Sequence, residues 1–503
     1  MAKLLLAIVM LLHVSSSTSS TSSSSPSSTV LQPLFQYIDE HQDEFVQRLG
    51  EWVAVKSDSS DRALWGEVQT LLNMTADRLR EMGAQVELAD TGTQQLSSGE
   101  SVSLPPVVLA QFERDPNKPT LCFYGHVDVQ PAKMEDGWIA DPYNLTERDG
   151  NLYGRGATDN KGPVLAWLHA VETYRATKQE VPVNLKFIIE GMEEVGSDGL
   201  DELIRLRNES FFSDVDYIVI SDNVWVSRRP ALTYGTRGSS YFFVEVEGPK
   251  IDLHSGVFGG SIQEPMTDLI ALLGSLLDHT GKVLVPGLNE AVAPLTEEER
   301  KLYEDIHYDL EEMKKEIGVK HFLQDNKEGI LMARWRYPSL SIHGIEGAFS
   351  DPGSKTVIPR RVIGKFSVRQ VPNMEPAVVE RQVKQHLQEV FARHKSPNIL
   401  TVSSSVGAKP WVADPRDPQY IAGRKAVKAV FGVEPELIRE GSTIPIAANF
   451  QEVTGKSVMM LPIGGHDDGE HSQNEKISRY NYIQGTKLFA AFFHELSQLP
   501  KDP

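Results

Sequence analysis

The 503 residues exceed one ordinary domain, and 40% apolar with 24% charged residues can build a sizeable core and does not describe a disordered chain. A formal charge of −19 argues against nucleic-acid binding, which needs a basic surface to neutralise phosphates. Cys122 is the single cysteine, so no intramolecular disulfide can form.

Lys3 precedes an apolar run over 4–12, and small polar serines follow over 15–25. That pattern predicts a signal peptide over 1–20, a serine-rich segment to about 32, and a secreted, extracellular protein. The run falls short of the ~20 residues a membrane span needs, so no membrane partner is expected. Three N-glycosylation tripeptides begin at Asn73, Asn144 and Asn208.

An apolar stripe through Leu34, Ile38, Phe45, Leu49 and Trp52 predicts one helix over 33–56, with Pro33 at its first position. Strands are predicted over 83–88, 107–111, 119–124, 183–189 and 217–221, with a helix over 162–176 between the third and fourth. Strand and helix alternating in this way predict an α/β domain with a mostly parallel sheet. Cys122 lies within one of the apolar strands and reads as a buried structural thiol.

The texture changes near Thr233. Strands over 241–247 and 364–368 and helices over 266–277 and 376–391 suggest an inserted α+β unit. Inside it, the charged stretch 295–325 reads as solvated helix and loop. The α/β style then returns with a helix over 420–430, a strand over 458–461 and a helix over 483–496. The expected division is 33–233 and 406–500 for the first domain and 234–405 for the insert.

Chemistry-bearing residues fall at the ends of these elements. They are His126-Val127-Asp128, Asp159 before a helix, Glu190-Gly191-Met192-Glu193-Glu194, Ser221-Asp222-Asn223 and Gly469-Glu470-His471-Ser472. In an extended segment His126 and Asp128 share a side, so one can bind a metal while the other orients it. Each spot alone also has a structural reading: a histidine satisfied in a turn, or Asp159 as a helix N-cap. Together they supply two histidines and several carboxylates, which suits the mixed nitrogen and oxygen ligation of zinc. The chain contains no G-x-S-x-G, no G-x-x-x-x-G-K-[ST], no H-E-x-x-H and no cysteine cluster.

With these motifs in place, the sequence resembles the dinuclear zinc metallopeptidase family that includes carboxypeptidase G-like enzymes, aminoacylase and the carnosine dipeptidases. Four segments carry the resemblance: His126-Val127-Asp128, the run Gly156 to Gly162, Glu190 to Glu194, and Asp252-Leu253-His254-Ser255-Gly256. The likeness is closest to the carnosine dipeptidases and runs from about Leu34 to Leu499. It implies a zinc-peptidase catalytic domain with an inserted dimerisation, or lid, domain.

The resemblance also implies roles. Two divalent ions, zinc with manganese or cobalt as alternatives, would be held by His126, Asp159, Glu194, Asp222 and His471, with Asp159 between them. Asp128 would hold the His126 ring. Glu193 would be the general base toward a metal-bridging water. His254 would reach the partner's active site in a homodimer. Thr356 and Arg369 would meet the substrate carboxylate, while Glu440 and Thr443 would meet the amino end and backbone. His466, five residues before His471, resembles a loop residue and not a ligand. The implied substrates are Xaa-His dipeptides such as carnosine, anserine and homocarnosine. A broad dipeptidase and an N-acyl amino acid deacylase are the alternatives.

Overall fold

The computed structural model describes residues 26–95, 99–405 and 407–499, and the expected signal peptide lies outside the described residues. Every residue of the strand Thr120–His126 is buried, as is every residue of Asn184–Glu190. Such doubly buried apolar runs belong in the middle of a parallel sheet. Asn184–Glu190, Thr120–His126, Tyr217–Ile220 and Ser457–Met460 lie side by side in that order, all parallel. Alternation sends Leu121 and Phe123 into one core and Cys122 and Tyr124 into another. The Cys122 thiol is fully buried, and burial pushes it up to about 12, as suits a structural cysteine.

Two antiparallel strands, Val107–Gln111 and Gln85–Ala89, extend one side of this centre. Ala231–Thr236, Glu436–Glu440 and Trp411–Val412 extend the other, giving nine strands among the described residues. The sheet is thus mixed, parallel at its centre and flanked on each side by antiparallel pairings, with Glu436–Glu440 parallel to Ala231–Thr236, within an α/β fold. Helices Lys161–Ala176 and Arg479–Ser497 pack against one core, where Trp167 stacks on Phe489 with ring centres 4.0 Å apart. Leu203 and Ile204 of helix Leu200–Arg207 and Phe450 of helix Pro445–Thr454 fill the other core.

At Arg237 the chain leaves this sheet for a second one. Ser339–Glu346, Arg361–Gln370, Gly238–Glu247 and Ile399–Ser404 form four antiparallel strands in that order. Gly238–Glu247 alternates strictly between buried and half-buried residues, so one face is core. Helices Pro265–Gly274 and Pro376–His394 cover that face through Leu269, Leu272, Val383 and Leu387.

Two sequence expectations need correction. The helix expected over 33–56 is two helices, Pro26–Glu40 and Gln42–Val53. The break falls at His41, whose ring stacks on Tyr37 and whose Nδ1 bonds the Tyr37 carbonyl oxygen at 2.8 Å. Pro26, not Pro33, opens the first helix; Pro33 lies inside it, where its missing N–H gives up a helical hydrogen bond. The stretch 295–325, expected as solvated helix and loop, carries two mostly exposed helices, Glu297–Asp305 and Leu310–Ile317, and departs from expectation only in its buried anchors. Tyr303 and Ile306 are buried there against Trp225, Trp335 and Ile438, an apolar cluster built onto the large sheet's margin. Charge density in this stretch masks a few widely spaced anchors.

A polar network ties the helices together below the sheet. Arg48 and Arg78 both pair with Glu172, at 2.7 and 2.6 Å. Arg78 Nη2 lies 3.2 Å from Nδ1 of the fully buried His169, whose Nε2 lies 3.1 Å from the Tyr482 hydroxyl. A guanidinium only donates, so Nδ1 accepts and Nε2–H donates to Tyr482: the ring is neutral. Burial, aided by Arg78 and opposed by Glu172, lowers His169 from 6.5 to about 4. Above pH 6.5 folded and unfolded chains both hold a neutral ring, and the full stabilisation is present. As pH falls from 6.5 toward 4 the unfolded chain takes up a proton that the folded chain refuses, and stability is lost. That loss is worth up to about 3 kcal/mol. Thermal unfolding across this window should show a steeper fall in Tm for the parent than for His169→Gln.

Candidate metal centre

Parallel strands bring their carboxyl ends to one edge, and an α/β sheet places its ligands there. Thr120–His126 delivers His126 at its last residue. Tyr217–Ile220 is followed at once by Asp222, and Asn184–Glu190 by the short turn Glu193–Val195. Asp159 comes from the loop before helix Lys161–Ala176, and its peptide bond to Asn160 is cis. Asp159 does not cap that helix; Asn160 occupies the cap position without a capping side-chain bond.

The buried His126 ring points Nε2 at Asp159 Oδ1, 3.1 Å away, and at Asp222 Oδ1, 3.2 Å away. Its other nitrogen, Nδ1, lies 3.2 Å from Asp128 Oδ1 and 3.1 Å from the Asp128 carbonyl oxygen. On the opposite side of Asp159, Oδ2 lies 3.1 Å from His471 Nε2, which is also 3.1 Å from Glu194 Oε2. Two donor groups result: His126, Asp159 and Asp222, and Asp159, Glu194 and His471. The two oxygens of Asp159 face one group each.

The electrostatics call for positive charge. Burial raises the Glu193 carboxyl well above its usual value; His126 opposes this, while Asp222, Glu194 and Asp159 add to it. Hydrogen bonds that His471 donates to the Asp159 and Glu194 carboxylates raise its imidazole to about 11. Carboxylates crowded away from water are costly unless a cation compensates them. Imidazole nitrogens and carboxylate oxygens converging in this way form a donor set that fits divalent ions.

Other residues hold this set in place, and apart from Asp128 sequence reading missed them. Asp128 does more than face His126, since its carboxylate also accepts the Glu193 and Glu194 amides at 3.2 and 3.0 Å. Gln130 donates to both oxygens of Glu194, at 3.1 Å through its amide and 2.9 Å through its side chain. Asn160 Nδ2 donates to Asp222 Oδ1 at 2.7 Å. The fully buried Glu475 accepts the amides of Gly156, Thr158 and Asp159 and pairs with Arg155 at 2.8 Å. Its distance along the chain from the loop it holds leaves no local signal. The loop's glycines are necessary: Gly156 sits at φ +87°, and a Cβ on Gly162 would lie 2.0 Å from the Ala157 carbonyl oxygen.

Beside the donor groups opens a cavity of about 240 Å³, lined by Asp159, Glu193, Asp222, Ser442, Thr443, Ile444, Glu470 and His471. That is smaller than the ~300–1,000 Å³ of sites for drug-sized ligands, and it suits a short substrate. Arg369 Nη1 donates to Thr443 Oγ1 at 2.6 Å, so the structure joins these two residues to the cavity wall. Glu440 Oε1 accepts the Gly441 amide at 2.6 Å and the Ser442 amide at 3.2 Å, which shapes the loop that carries Thr443. His254 and Thr356 stand apart from this group. His254 is exposed on the ribbon it forms with Val357–Ile358, and its Nδ1 accepts the Gly256 amide. Thr356 is exposed beside it, its carbonyl oxygen accepting the Ser255 amide. His466 lies outside both donor groups, 3.7 Å from Glu316.

Removing the Glu475 charge should show what this scaffold does. Glu475→Gln leaves the Arg155 guanidinium buried without its counter-charge, which costs on the order of 3–5 kcal/mol. Both a lower unfolding midpoint and weaker metal retention during dialysis against chelator are expected; unchanged values would show that the loop holds itself.

Comparison with known proteins agrees with this geometry. Residues 122–495 match the model of peptidase family M20/M25/M40. The chain is 60% identical over 475 residues to a Beta-Ala-His dipeptidase of Rattus norvegicus, covering 94% of this chain and 96% of the relative. It is 46% identical to a Cys-Gly metallodipeptidase of Saccharomyces cerevisiae, over 94% of this chain and 99% of that one. The crystal structure of human carnosine dipeptidase 1 superposes with a TM-score of 0.86 at 59% identity, covering 93% of this chain and 99% of that one. Divalent metal ions, a small peptide substrate and a metallo-dipeptidase activity follow from these relationships together with the paired donor groups. The chain belongs to peptidase family M20/M25/M40.

Proposed function

We propose that the protein hydrolyses the peptide bond of Xaa-His dipeptides, carnosine, anserine and homocarnosine among them, with two zinc ions and with Glu193 as general base. The observation that carries this reading is the Asp159 carboxylate set between two histidine-containing donor groups at the wall of a small cavity. The 60% identity to Beta-Ala-His dipeptidases supports the histidine preference. His126, Asp159 and Asp222 would hold one ion and Asp159, Glu194 and His471 the other. When bound, such ions polarise a carbonyl and lower the pKa of water.

The chain's own residues do the remainder. Asp128 fixes the His126 ring and, through the Glu193 amide, the position of the Glu193 turn. Glu193 faces the cavity, takes the proton from the attacking water and returns it to the leaving amine. Arg369, steadied by Thr443, offers a planar fork to the substrate carboxylate.

His254 and Thr356 complete the site from a second copy of the chain, with residues 234–405 as the dimerisation unit. Their exposure on a ribbon away from the cavity supports this arrangement. His254 would then stabilise the oxyanion as it develops. We further propose that the protein is secreted, with Asn144, exposed on a surface turn, available for glycosylation.

Three measurements test the reading. Carnosine, anserine and Ala-Leu should be offered to the purified protein before chelation, after it, and after zinc is restored. Metal-dependent cleavage favouring the histidine peptides is expected. Preferential cleavage of Ala-Leu would make it a broad dipeptidase, as the likeness to Cys-Gly metallodipeptidases allows. Glu193→Gln should retain both ions and lose activity by about 10²–10⁴-fold; near-full activity would remove Glu193 from its role. Mixing inactive Glu193→Gln and His254→Ala subunits should restore part of the activity, because each mixed dimer holds one complete site. No recovery after subunit exchange would refute the shared site.

A further inference from the structure

Two carboxylates in the cavity wall receive no hydrogen bond and no ion pair among the described residues: Glu193 and Glu470. Glu193 has its task as the base. Glu470 has none in the reading above, yet it precedes His471 and lies on the same cavity as Asp159 and Asp222. The cations nearest the adjoining loop are otherwise engaged. Arg237 donates to the Gly441 carbonyl oxygen at 3.1 Å and to Ser339 at 2.8 Å, and Arg369 donates to Thr443. Glu440, the sequence candidate for the substrate's amino end, has one carboxylate oxygen committed to the Gly441 and Ser442 amides.

A dipeptide at neutral pH carries an ammonium group on the acyl side of the scissile bond and a carboxylate on the other. The chain offers a guanidinium for the carboxylate at Arg369. It offers an uncommitted acidic group beside the metal donors at Glu470. Resting on the dipeptidase reading, we propose that Glu470 receives the substrate's free amino terminus and so selects unblocked peptides over N-acylated ones. The pairing places the amine on the side of His471 and Asp159, next to the carbonyl under attack. It also separates this site from a deacylase site, which would have no use for a lone carboxylate against a neutral acyl chain.

The test compares β-alanyl-histidine with propionyl-histidine, which lacks only the amine. The zinc-loaded parent should prefer the amine-bearing peptide by about 100-fold or more in kcat/KM, since a site built around a polar group strongly rejects the analogue lacking it. In Glu470→Gln that preference should fall toward unity while bound zinc, measured by elemental analysis, stays at the parent level. Glu470→Asp, which keeps the charge, should recover part of it. A preference unchanged in Glu470→Gln would overturn the proposal, as would zinc loss accompanied by equal losses on both peptides, which would mark a purely structural role. A parent that cleaves neither peptide overturns the dipeptidase reading and this proposal with it. A parent that cleaves both equally overturns this proposal alone.

Discussion

Negative charge held away from water is the constraint around which the protein is arranged. Asp159, Glu193, Glu194 and Asp222 meet at the carboxyl edge of a parallel sheet, where the surroundings are apolar strands and the tightly packed helix Lys161–Ala176. Such a group is tolerable only if cations answer it and if each carboxylate is steered by further bonds. The steering reaches the donors through Gln130 at Glu194, Asn160 at Asp222 and Glu475 at the loop before Asp159, while Glu193 is placed through its backbone amide by Asp128. The cavity then inherits its chemistry from this arrangement, with donors for divalent ions at one wall and acidic groups beside them.

The strands were the most legible part of the sequence, because runs such as 119–124 and 183–189 are mostly apolar, broken only by Thr120 in the first and by Asn184 and Lys186 in the second, and are followed by charged or polar residues. Burial on both faces leaves such a signature whatever the tertiary context. The donor residues were legible only together: His126 ends one strand and Asp222 and Glu194 come shortly after two others, each alone has a structural reading, and their roles followed from the resemblance that the surrounding motifs carry. The supporting residues were not legible. Glu475 looks like any loop glutamate, and its partners at Gly156 to Asp159 lie some three hundred positions away. Gln130 and Asn160 act through single bonds with no pattern in the chain.

The misread regions have separate causes. The break falls at His41, where the backbone departs from helical geometry at φ −114° although the ring still stacks on Tyr37 one turn back, and no feature of the apolar stripe marks it. Helix Glu297–Asp305 is anchored by Tyr303, with Ile306 just beyond its end, against Trp225 and Trp335, which are distant in sequence. Periodicity reports the composition of one face of an element. It does not report which distant surface meets that face, and at Tyr303 and Ile306 the distant surface decided the outcome.

The fully buried Lys161 ammonium donates to the carbonyl oxygens of Trp52 and Val55 at 3.1 and 2.8 Å. Ser57 hydroxyl and carbonyl groups bond to Val127 and Val129. The family match, however, begins only at residue 122. The stretch of chain ahead of the recognisable peptidase therefore works as a buttress: its carbonyl oxygens take up the ammonium of Lys161, two residues after Asp159, and it pins the segment that follows His126. A catalytic unit trimmed to the limits of the family would keep every donor atom and lose the masonry behind them, so the functional boundary of this peptidase lies well upstream of the boundary that its motifs mark.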